Sequence, residues 1–417
     1  MKLSIYFVTI VTLGLLGGCV TTETPKTPAS PTTGELISAW SQIGPDGQWI
    51  ARVIISGEKC PAVTVDGAQA PMSTRAPATT THPVTACDAN IPATGKNVAV
   101  MGRKLPIPNA NPSHIVVIGD TGCRLKNNGK KTTAQNCDIP SEWPLATVAK
   151  SIADEKADVI IHVGDYHYRE APCPADQAGC SKAASGYNWD AWLQDYFTPI
   201  APAFATTPFI HVRGNHELCD RAGEGWFRYL EPRHWQEKCA DQMPPYSLTM
   251  GDHRWIIFDS ADEANIVPSA KDPVLRGKKP TWLFTHRPVV TPDQDPVKEK
   301  AREPMVSAVR SIPGLTALFA GHWHVLSLDQ FSGKAPLEII SGNGGTAMDP
   351  PQHTGKIMDS QNIASYFGQQ YYDFGYIRLD RDGPSTWILQ EKDPSGKTVL
   401  RCVMNETSAT LQCTPGA

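Results

Sequence analysis

The chain has 417 residues with a formal net charge of −4 at pH 7, and 19% of its residues are charged. This length suits one large domain or two modest ones. The sequence contains no internal repeat and no run of Lys and Arg dense enough to bind nucleic acid. The composition therefore argues against a repeat protein and against specific nucleic-acid binding.

The first residues have the order of an export signal. Lys2 precedes an apolar stretch over residues 3–16, and Leu16-Gly17-Gly18-Cys19 follows. The apolar stretch is too short for a comfortable membrane span. The small residues before Cys19 resemble the bacterial lipoprotein signal, in which that cysteine is lipidated and becomes the first residue. An ordinary secretory signal cleaved nearby is the alternative.

We therefore expect a signal peptide over residues 1–18 and a lipid anchor on Cys19. Residues 19–34 are rich in Thr and Pro and cannot bury a core, so they are predicted to form a tether. Val20 is not the Asp that commonly retains lipoproteins at the inner membrane. The resemblance therefore favours an exported bacterial lipoprotein of the outer membrane, facing either the periplasm or the cell exterior.

The cysteines support an oxidising compartment. Eleven are present, and an even number remains when Cys19 is set aside as the anchor. The alternative, metal binding by thiolates, lacks any Cys-x-x-Cys spacing. If neighbours along the chain pair, the expected disulfides, as staples on surface loops, are Cys60–Cys87, Cys123–Cys137, Cys173–Cys180, Cys219–Cys239 and Cys402–Cys413.

Residues 35–112 are predicted to form a small N-terminal β domain. Short β-type segments over 49–55, 63–65 and 98–100 are separated by Pro, Gly, Thr and Asn, and helical periodicity is absent. This pattern indicates a β-sandwich-like unit, to which the sequence assigns no ligand.

The pattern changes at Ser113, where strand-like apolar runs begin to alternate with helical stretches. Such alternation predicts sheets covered by helices over residues 113–380, followed by a β extension over residues 381–417. The helical stretches are 142–156 and 189–204, and the main strand-like runs are 115–118, 159–163, 208–212, 254–258, 282–285, 315–320 and 337–340.

Five of these runs end in residues that commonly bind metals. The five ends are Gly119-Asp120-Thr121-Gly122, Gly164-Asp165-Tyr166-His167-Tyr168, Gly214-Asn215-His216-Glu217, Thr285-His286 and Gly321-His322-Trp323-His324. Ligand sites of open α/β sheets lie at the carboxyl ends of the strands. Each end has a plainer explanation by itself, such as a turn Asp or a hydrogen-bonded loop histidine. Together they predict one metal site, in which Asp165 could bind two cations and Tyr168 could offer a phenolate.

These blocks resemble the metallophosphoesterase (calcineurin-like phosphoesterase) superfamily, and most of all its purple acid phosphatase branch. The branch signature is GDxG, GDxxY, GNH[DE], VxxH and GHxH. Every block matches in full except the fourth, where Leu283 replaces Val. The resemblance covers about residues 113–345. It implies the four-layer α/β/β/α sandwich of the superfamily as the catalytic domain, preceded here by the β-sandwich-like domain.

The resemblance implies two bound metal ions. Fe³⁺ would be held by Asp120, Asp165, Tyr168 and His324, and Zn²⁺, Fe²⁺ or Mn²⁺ by Asp165, Asn215, His286 and His322. A phenolate favours a trivalent cation, whereas imidazole and carboxamide suit a divalent one. A di-manganese or di-zinc pair is the alternative, against which Tyr168 argues.

The resemblance also implies catalytic residues. His216 would be the general acid that protonates the leaving alkoxide, with Glu217 orienting it. Arg213 is similar to the Arg of RGNHE in the Ser/Thr protein phosphatase branch, where that Arg binds phosphate; a surface Arg is the alternative. Plant and mammalian purple acid phosphatases carry further histidines after the fourth block, where this sequence has Arg287. This departure leaves the pH optimum and the leaving-group preference open.

The predicted function is hydrolysis of small phosphate monoesters by attack of a metal-bound hydroxide, as in an acid phosphatase-like metallophosphoesterase. A phosphodiesterase or nucleotidase on the same site is one alternative, and residues 261–312 would decide between them. The other is an inactive metal-binding surface protein, which the presence of His216 beside a full set of ligands disfavours. The expected partners are small phosphorylated substrates and, through Cys19, a membrane.

Overall fold

The computed structural model describes residues 32–127, 132–235, 237–277, 279–290, 296–331, 335–349 and 365–416. The signal peptide and the anchor on Cys19 lie outside these residues and stay predictions. In the part of the chain that is described, no helix is long and apolar enough to cross a membrane.

Strands and the loops between them make up most of the described residues. In chain order the strands are β1 Leu36–Ile43, β2 Trp49–Ile55, β3 Ala62–Val65, β4 Ala68–Pro71, β5 Ser73–Ala76, β6 Thr85–Ile91, β7 Val98–Val100, β8 Arg103–Leu105, β9 His114–Ile118, β10 Leu125–Asn127, β11 Thr132–Ala134, β12 Val159–His162, β13 Phe209–His211, β14 Tyr246–Met250, β15 His253–Ile257, β16 Thr281–Phe284, β17 Leu315–Ala320, β18 Leu326–Phe331, β19 Leu337–Ser341, β20 Ser365–Tyr371, β21 Tyr376–Arg381, β22 Thr386–Lys392, β23 Thr398–Asn405 and β24 Thr410–Pro415.

Helices are few and mostly short. The α-helices are α1 Leu145–Glu155, α2 Trp189–Trp192, α3 Thr198–Phe204, α4 Gly223–Gly225, α5 Ile266–Ser269 and α6 Pro296–Arg310. A π-helical turn over Leu193–Phe197 joins α2 to α3, which confirms the predicted helical segment over 189–204. The predicted helix over 142–156 is shorter, because Pro144 occupies the N-cap of α1 and Lys156 ends it with a left-handed φ of 52°.

The larger sheet has 11 strands in the order β24-β23-β22-β21-β9-β12-β13-β1-β2-β6-β5. β9, β12, β13 and β1 are parallel, and β1 joins β13 through the pair Gln42 and Phe209. Strands from the predicted N-terminal domain thus lie at one end of this sheet and strands of the C-terminal extension at the other. The domain boundaries themselves stay predictions.

The second large sheet has seven strands in the order β14-β15-β16-β17-β19-β18-β20, with β15, β16, β17 and β19 parallel. A smaller sheet, β4-β3-β7-β8, packs its apolar residues against β1, β2 and β6. A two-stranded hairpin, β10-β11, stands apart from these sheets.

Side chains on the central strands alternate between two cores. On β9, Ile115 and Val117 belong to the core between the two large sheets, whereas Val116 and Ile118 belong to the core shared with α1 and α3. In the second sheet Leu283 belongs to a third core with residues of α5 and α6. Because both faces of these strands are covered, most of their positions are apolar. The layers are helix, sheet, sheet and helix, which confirms the predicted α/β/β/α sandwich.

The disulfides follow the predicted pairing of chain neighbours. The bonds are Cys60–Cys87, Cys123–Cys137, Cys173–Cys180, Cys219–Cys239 and Cys402–Cys413. The expectation that all of them staple surface loops is wrong, since Cys402 on β23 faces Cys413 on β24 across a strand pair. Cys87 likewise lies within β6 and is fully buried.

A buried ion pair ties the second sheet to the C-terminal strands. The Nε2 atom of His253, on β15, lies 2.8 Å from Glu406 Oε2, and Trp282 Nε1 donates to Glu406 Oε1 at 2.6 Å. The Nδ1 atom of His253 lies 2.8 Å from Asp252 Oδ1, and Arg381 donates to the other Asp252 oxygen. Burial opposes the charged imidazole, but Glu406 and Asp252 together raise the pKa of His253 above its ordinary value.

We therefore expect His253 to stabilise the fold most at low pH. A raised pKa means that the contribution is complete below about pH 6.5, the ordinary value, and is lost as the pH rises through the raised pKa. His253→Gln should lower the free energy of unfolding by more at about pH 5.5 than at about pH 9.5, as measured by denaturant unfolding.

The matched control is His114→Gln. His114 pairs with Asp380, but its side chain is 47% exposed, so its removal should change stability little at either pH. An equal loss of stability at both pH values in His253→Gln would contradict the predicted role of the ion pair.

Candidate metal centre

The five sequence blocks come together at one edge of the two large sheets. Asp120 and Asp165 follow β9 and β12, which are parallel neighbours in the first sheet. His286 and His322 follow β16 and β17, which are parallel neighbours in the second. The carboxyl ends of parallel strands share one edge, and this is where ligand sites of α/β sheets lie.

Three of the predicted ligands adopt a left-handed backbone conformation directly after their strands. The φ angle is 56° at Asp120, 58° at Asp165 and 72° at His322. Such angles are uncommon outside glycine and cost about 1–2 kcal/mol each. The strain is held by cross-links between the turns; for example, the His322 backbone N–H donates to Asp120 Oδ2 at 2.9 Å. Strain of this kind is concentrated at functional sites.

Glycines before the ligands let the turns approach one another closely. Gly164 has a φ of 101°, and a Cβ atom at this position would lie 2.5 Å from His286 Nδ1. A Cβ atom on Gly214 would lie 2.1 Å from Asp165 Oδ1. Neither distance is sterically allowed, so the spacing of the turns requires glycine at both positions.

Tyr168 is the centre of the first ligand group. Its hydroxyl oxygen lies 2.8 Å from Asp165 Oδ2, 3.0 Å from Asp120 Oδ1 and 2.8 Å from His324 Nε2. The side chains of Asp120, Asp165 and Tyr168 are buried, with at most 1% of each residue exposed. The four residues thus present a phenol, two carboxylates and an imidazole to one small volume.

The second ligand group shares Asp165 with the first. His286 Nε2 lies 3.2 Å from Asp165 Oδ2 and 3.0 Å from Asn215 Oδ1. The His286 Nδ1 atom lies 2.9 Å from the Val163 carbonyl oxygen, which leaves Nε2 for a ligand role. Ligand atoms of Asp165, His286 and His322 lie within 4.8 Å of one another, as expected of residues that could hold a metal ion.

The charges of these groups depend on one another. Burial raises the pKa of the Tyr168 hydroxyl, and the carboxylates of Asp120 and Asp165 raise it further. Burial also opposes ionisation of Asp165, but His286 and His216 hold its pKa well below the ordinary range. In turn, Asp165 outweighs the effect of burial on His286 and raises the pKa of its imidazole to about 9. Buried carboxylates require nearby positive charge, and a pair of metal ions would supply it among these oxygen and nitrogen donors.

Glu217 lies behind the ligands. Its carboxylate accepts hydrogen bonds from the backbone N–H groups of Asp165, Tyr166, His167 and Gly214, at 2.9–3.2 Å. Burial and the nearby Asp165 raise the pKa of Glu217 to about 8. Glu217 thus holds the second and third sequence blocks together. The side chain that faces His216 Nδ1 is that of Glu170, at 3.1 Å.

Arg213 is also directed away from the ligands. Its Nε donates to the Glu217 carbonyl oxygen at 2.9 Å and its Nη1 to the Ala240 carbonyl oxygen at 2.7 Å. Its guanidinium also lies 3.5 Å from Asp259 Oδ2, and the residue is 2% exposed. These contacts engage the guanidinium within the protein rather than in the cavity described next.

A cavity of about 280 Å³ opens over the ligands. Three of its cationic side chains, Arg124, Lys126 and Arg221, were not identified from the sequence. Arg124 contacts His324 and lies 5.9 Å from the centroid of the Tyr168 ring. The lining also includes His216 and the predicted ligands Asp165, Tyr168, Asn215, His322 and His324. The cavity therefore places positive charge around the predicted metal ligands, as a phosphate-binding site requires.

Asp195 is a further residue that sequence reasoning missed. It lies in the π-helical turn, is fully buried, and accepts hydrogen bonds from Cys123 N, Arg169 Nε and Tyr168 N at 2.8, 2.8 and 2.7 Å. It therefore joins the loops that follow β9 and β12. The only signal in the sequence was an acidic residue within a run of buried aromatic residues.

Comparison with known proteins agrees with this geometry. The family model of the calcineurin-like phosphoesterases matches residues 113–326, about half of the chain. The chain belongs to this family, the metallophosphoesterases, as its sequence blocks predicted. No curated protein matches the sequence at a significant level.

Solved structures share the fold at low sequence identity. Purple acid phosphatase PPD1 from seeds of yellow lupin (Lupinus luteus) is 14% identical with a TM-score of 0.56, and the match covers 88% of this chain and 73% of that one. A structure of PhoD is 10% identical with a TM-score of 0.54, and the match covers 94% of each chain. These similarities show that the fold is that of the metallophosphoesterases.

We expect Asp195→Ala to destabilise the protein and to weaken metal binding at the centre. The substitution leaves two buried backbone N–H groups and Arg169 Nε without their acceptor and removes the carboxylate paired with Arg169. The free energy of unfolding should therefore fall by about 3–5 kcal/mol. Metal affinity should fall with it, since Tyr168 loses its backbone anchor. Denaturant unfolding and metal titration measure the two effects.

Asp190→Ala is the matched control, because Asp190 lies in the same helical segment but is exposed. It should leave metal affinity unchanged and alter stability by about 0.5 kcal/mol or less. If the two variants bound metal equally well, the anchoring role of Asp195 would be wrong.

Proposed function

We propose that this protein hydrolyses phosphate monoesters in the manner of the purple acid phosphatases. The observation that carries the proposal is the environment of Tyr168, whose hydroxyl oxygen lies within 3.0 Å of atoms of Asp120, Asp165 and His324. A phenol held between two carboxylates and an imidazole is a donor set suited to a trivalent cation.

Two ions fit the two ligand groups. Asp120, Asp165, Tyr168 and His324 would hold Fe³⁺, and Asp165, Asn215, His286 and His322 would hold Zn²⁺, Fe²⁺ or Mn²⁺. When bound, such a pair supplies Lewis acidity for the phosphate oxygens and for the attacking water.

His216 is the proton donor in this proposal. Its ring packs on that of Tyr168 with centroids 3.8 Å apart, and its Nε2 lies 3.8 Å from Asp165 Oδ2 at the cavity. As water attacks phosphorus and the ester P–O bond breaks, the Nε2 proton passes to the leaving oxygen. The products are an alcohol and inorganic phosphate, and the proton released by water restores the acid through solvent.

Cationic side chains at the cavity would bind the phosphate. Arg124 and Lys126 line the cavity, and Arg124 carries the planar guanidinium that matches phosphate oxygens. Arg213, whose donors bind Glu217 and Ala240, is better suited to holding the loop that carries Asn215 and His216.

The Tyr168→Phe variant tests the iron assignment. We expect the purified protein to show a visible tyrosinate-to-iron absorption band and, by metal analysis, two ions per chain. Tyr168→Phe should abolish the band, because the phenolate is the donor of the electronic transition, while the ring still packs on His216.

Removal of metal by chelation should abolish both the band and hydrolysis, and restoration of iron should recover both. A colourless protein that is active with two divalent ions would overturn the iron assignment but would leave the proposed hydrolysis unchanged. A protein that binds no metal after reconstitution would overturn the proposed function as a whole.

The His216→Ala variant tests the reaction. We expect both metal ions to be retained and kcat for alkyl phosphate monoesters, whose leaving oxygen must be protonated, to fall about 10²- to 10⁴-fold, the usual contribution of general acid catalysis. Parallel assays with diesters decide the substrate class, since faster diester turnover would favour a phosphodiesterase or nucleotidase.

His234→Ala serves as the control, since His234 is exposed and does not line this cavity. It should retain full activity. If His216→Ala also retained full activity, the proposed role of His216 as proton donor would be wrong.

A further inference from the structure

One carboxylate outside the predicted ligand set faces His216. The Oε1 atom of Glu170 lies 3.1 Å from His216 Nδ1 and accepts a hydrogen bond from Arg221 Nε at 2.8 Å. Arg221 Nη2 contacts the same oxygen. The Glu170 side chain is only 11% exposed, so the ion pair is shielded from solvent. The imidazole, carboxylate and guanidinium therefore form a continuous row.

Arg221 connects this row to the backbone beside His216. Its Nη1 atom donates to the carbonyl oxygen of Asn215 at 3.0 Å, while its Nε and Nη2 bind Glu170. The guanidinium thus holds the carboxylate at a set position relative to the short helical turn Asn215–Glu217. A planar group with several donors in one plane is well suited to such a role.

The contacts of His216 determine which ring nitrogen faces the cavity. Nδ1 lies near two acceptors, Glu170 Oε1 at 3.1 Å and the His167 carbonyl oxygen at 3.0 Å, so this nitrogen carries a proton. Nε2 is the nitrogen on the other side of the ring, 3.8 Å from Asp165 Oδ2. A hydrogen-bond acceptor on one nitrogen is the usual means of orienting a catalytic histidine and fixing its tautomer.

Glu217, the neighbour expected to orient His216, is engaged elsewhere. Its two oxygens accept from backbone N–H groups of the second and third sequence blocks. Glu170, held by Arg221, is therefore the carboxylate that contacts the imidazole of His216.

We propose that Glu170, held by Arg221, is the positioning residue that directs His216 Nε2 at the leaving group. This inference rests on the proposed function, because it assumes that His216 donates a proton as the ester P–O bond breaks. It predicts that Glu170 matters most for substrates whose leaving oxygen must be protonated.

The test compares two monoesters across variants of the metal-loaded protein. Alkyl phosphates have strongly basic leaving oxygens, whereas p-nitrophenyl phosphate releases a stable phenolate that needs little protonation. Glu170→Ala should lower kcat/KM about 100-fold for the alkyl phosphate and less than about 5-fold for p-nitrophenyl phosphate. His216→Ala should show the same selectivity, and the double variant should lose no more than His216→Ala alone, because the two residues act as a unit.

The isosteric Glu170→Gln variant guards against misfolding, since it keeps the size of the side chain and removes its charge. It should show the same selective loss to a smaller extent, with metal content unchanged. Glu155→Gln is the matched control, because Glu155 is also 11% exposed and pairs with an arginine, Arg378, and neither residue lines the cavity. It should retain the activity of the unmodified protein on both substrates.

An equal loss on both monoesters, or no loss, in Glu170→Ala and Glu170→Gln would overturn the positioning role. That result differs from failure of the proposed function itself. In the latter case the unmodified protein would hydrolyse neither monoester, or His216→Ala would retain full turnover on the alkyl phosphate.

Discussion

The buried charge of Asp165 is the constraint on which the rest of the centre depends. The residue is 1% exposed, and its oxygens lie beside the Tyr168 hydroxyl, His286 Nε2 and the backbone N–H of His216. Removing a carboxylate from water costs several kcal/mol unless hydrogen bonds and opposite charge compensate. The partners come from separate loops, so those loops must stay in one arrangement. The same arrangement of loops requires glycine at position 214, since a Cβ atom there would collide with Asp165.

Polar side chains behind the ligands meet this requirement by binding backbone groups of neighbouring loops. Asp195 joins the loops after β9 and β12, and Glu217 joins those after β12 and β13. Ser260 Oγ accepts from the backbone N–H groups of His286 and Arg287 at 3.1 and 2.8 Å. Each contact satisfies buried donors that would otherwise be costly. The contacts of Asp195 and Glu217 also set the distance between two ligand-bearing turns, and those of Ser260 fix the turn that carries His286. Stability and function are therefore coupled at this edge of the sheets, whereas elsewhere the apolar cores between the layers hold the fold together.

The centre also separates the groups that would bind metal from the group that would move a proton. His216 follows the ligand Asn215 directly, yet its Nδ1 faces Glu170 and the His167 carbonyl oxygen rather than the other ligands. The left-handed conformations at Asp120, Asp165 and His322 belong to residues of the ligand set. In the short turn Asn215–Glu217, adjacent side chains point in different directions and would serve two roles, metal binding and proton transfer.

The sequence alone determined the family, the layered fold and the predicted ligand set. It could do so because each ligand lies in the loop that follows a largely apolar strand, most of them a short distance from a glycine, and because strands covered on both faces are largely apolar, as in β12 and β17. It did not reveal β10, β11 or α6, whose patterns are short or polar. Only the tertiary structure assigned Asp195, Arg221 and Glu170 their contacts, because these join residues far apart in the chain, such as Asp195 and Cys123 at a separation of 72. The role of Glu217 was mispredicted for the same reason. Its position next to His216 in the sequence suggested that it orients His216, but in the folded chain it binds backbone N–H groups 50 to 52 residues away.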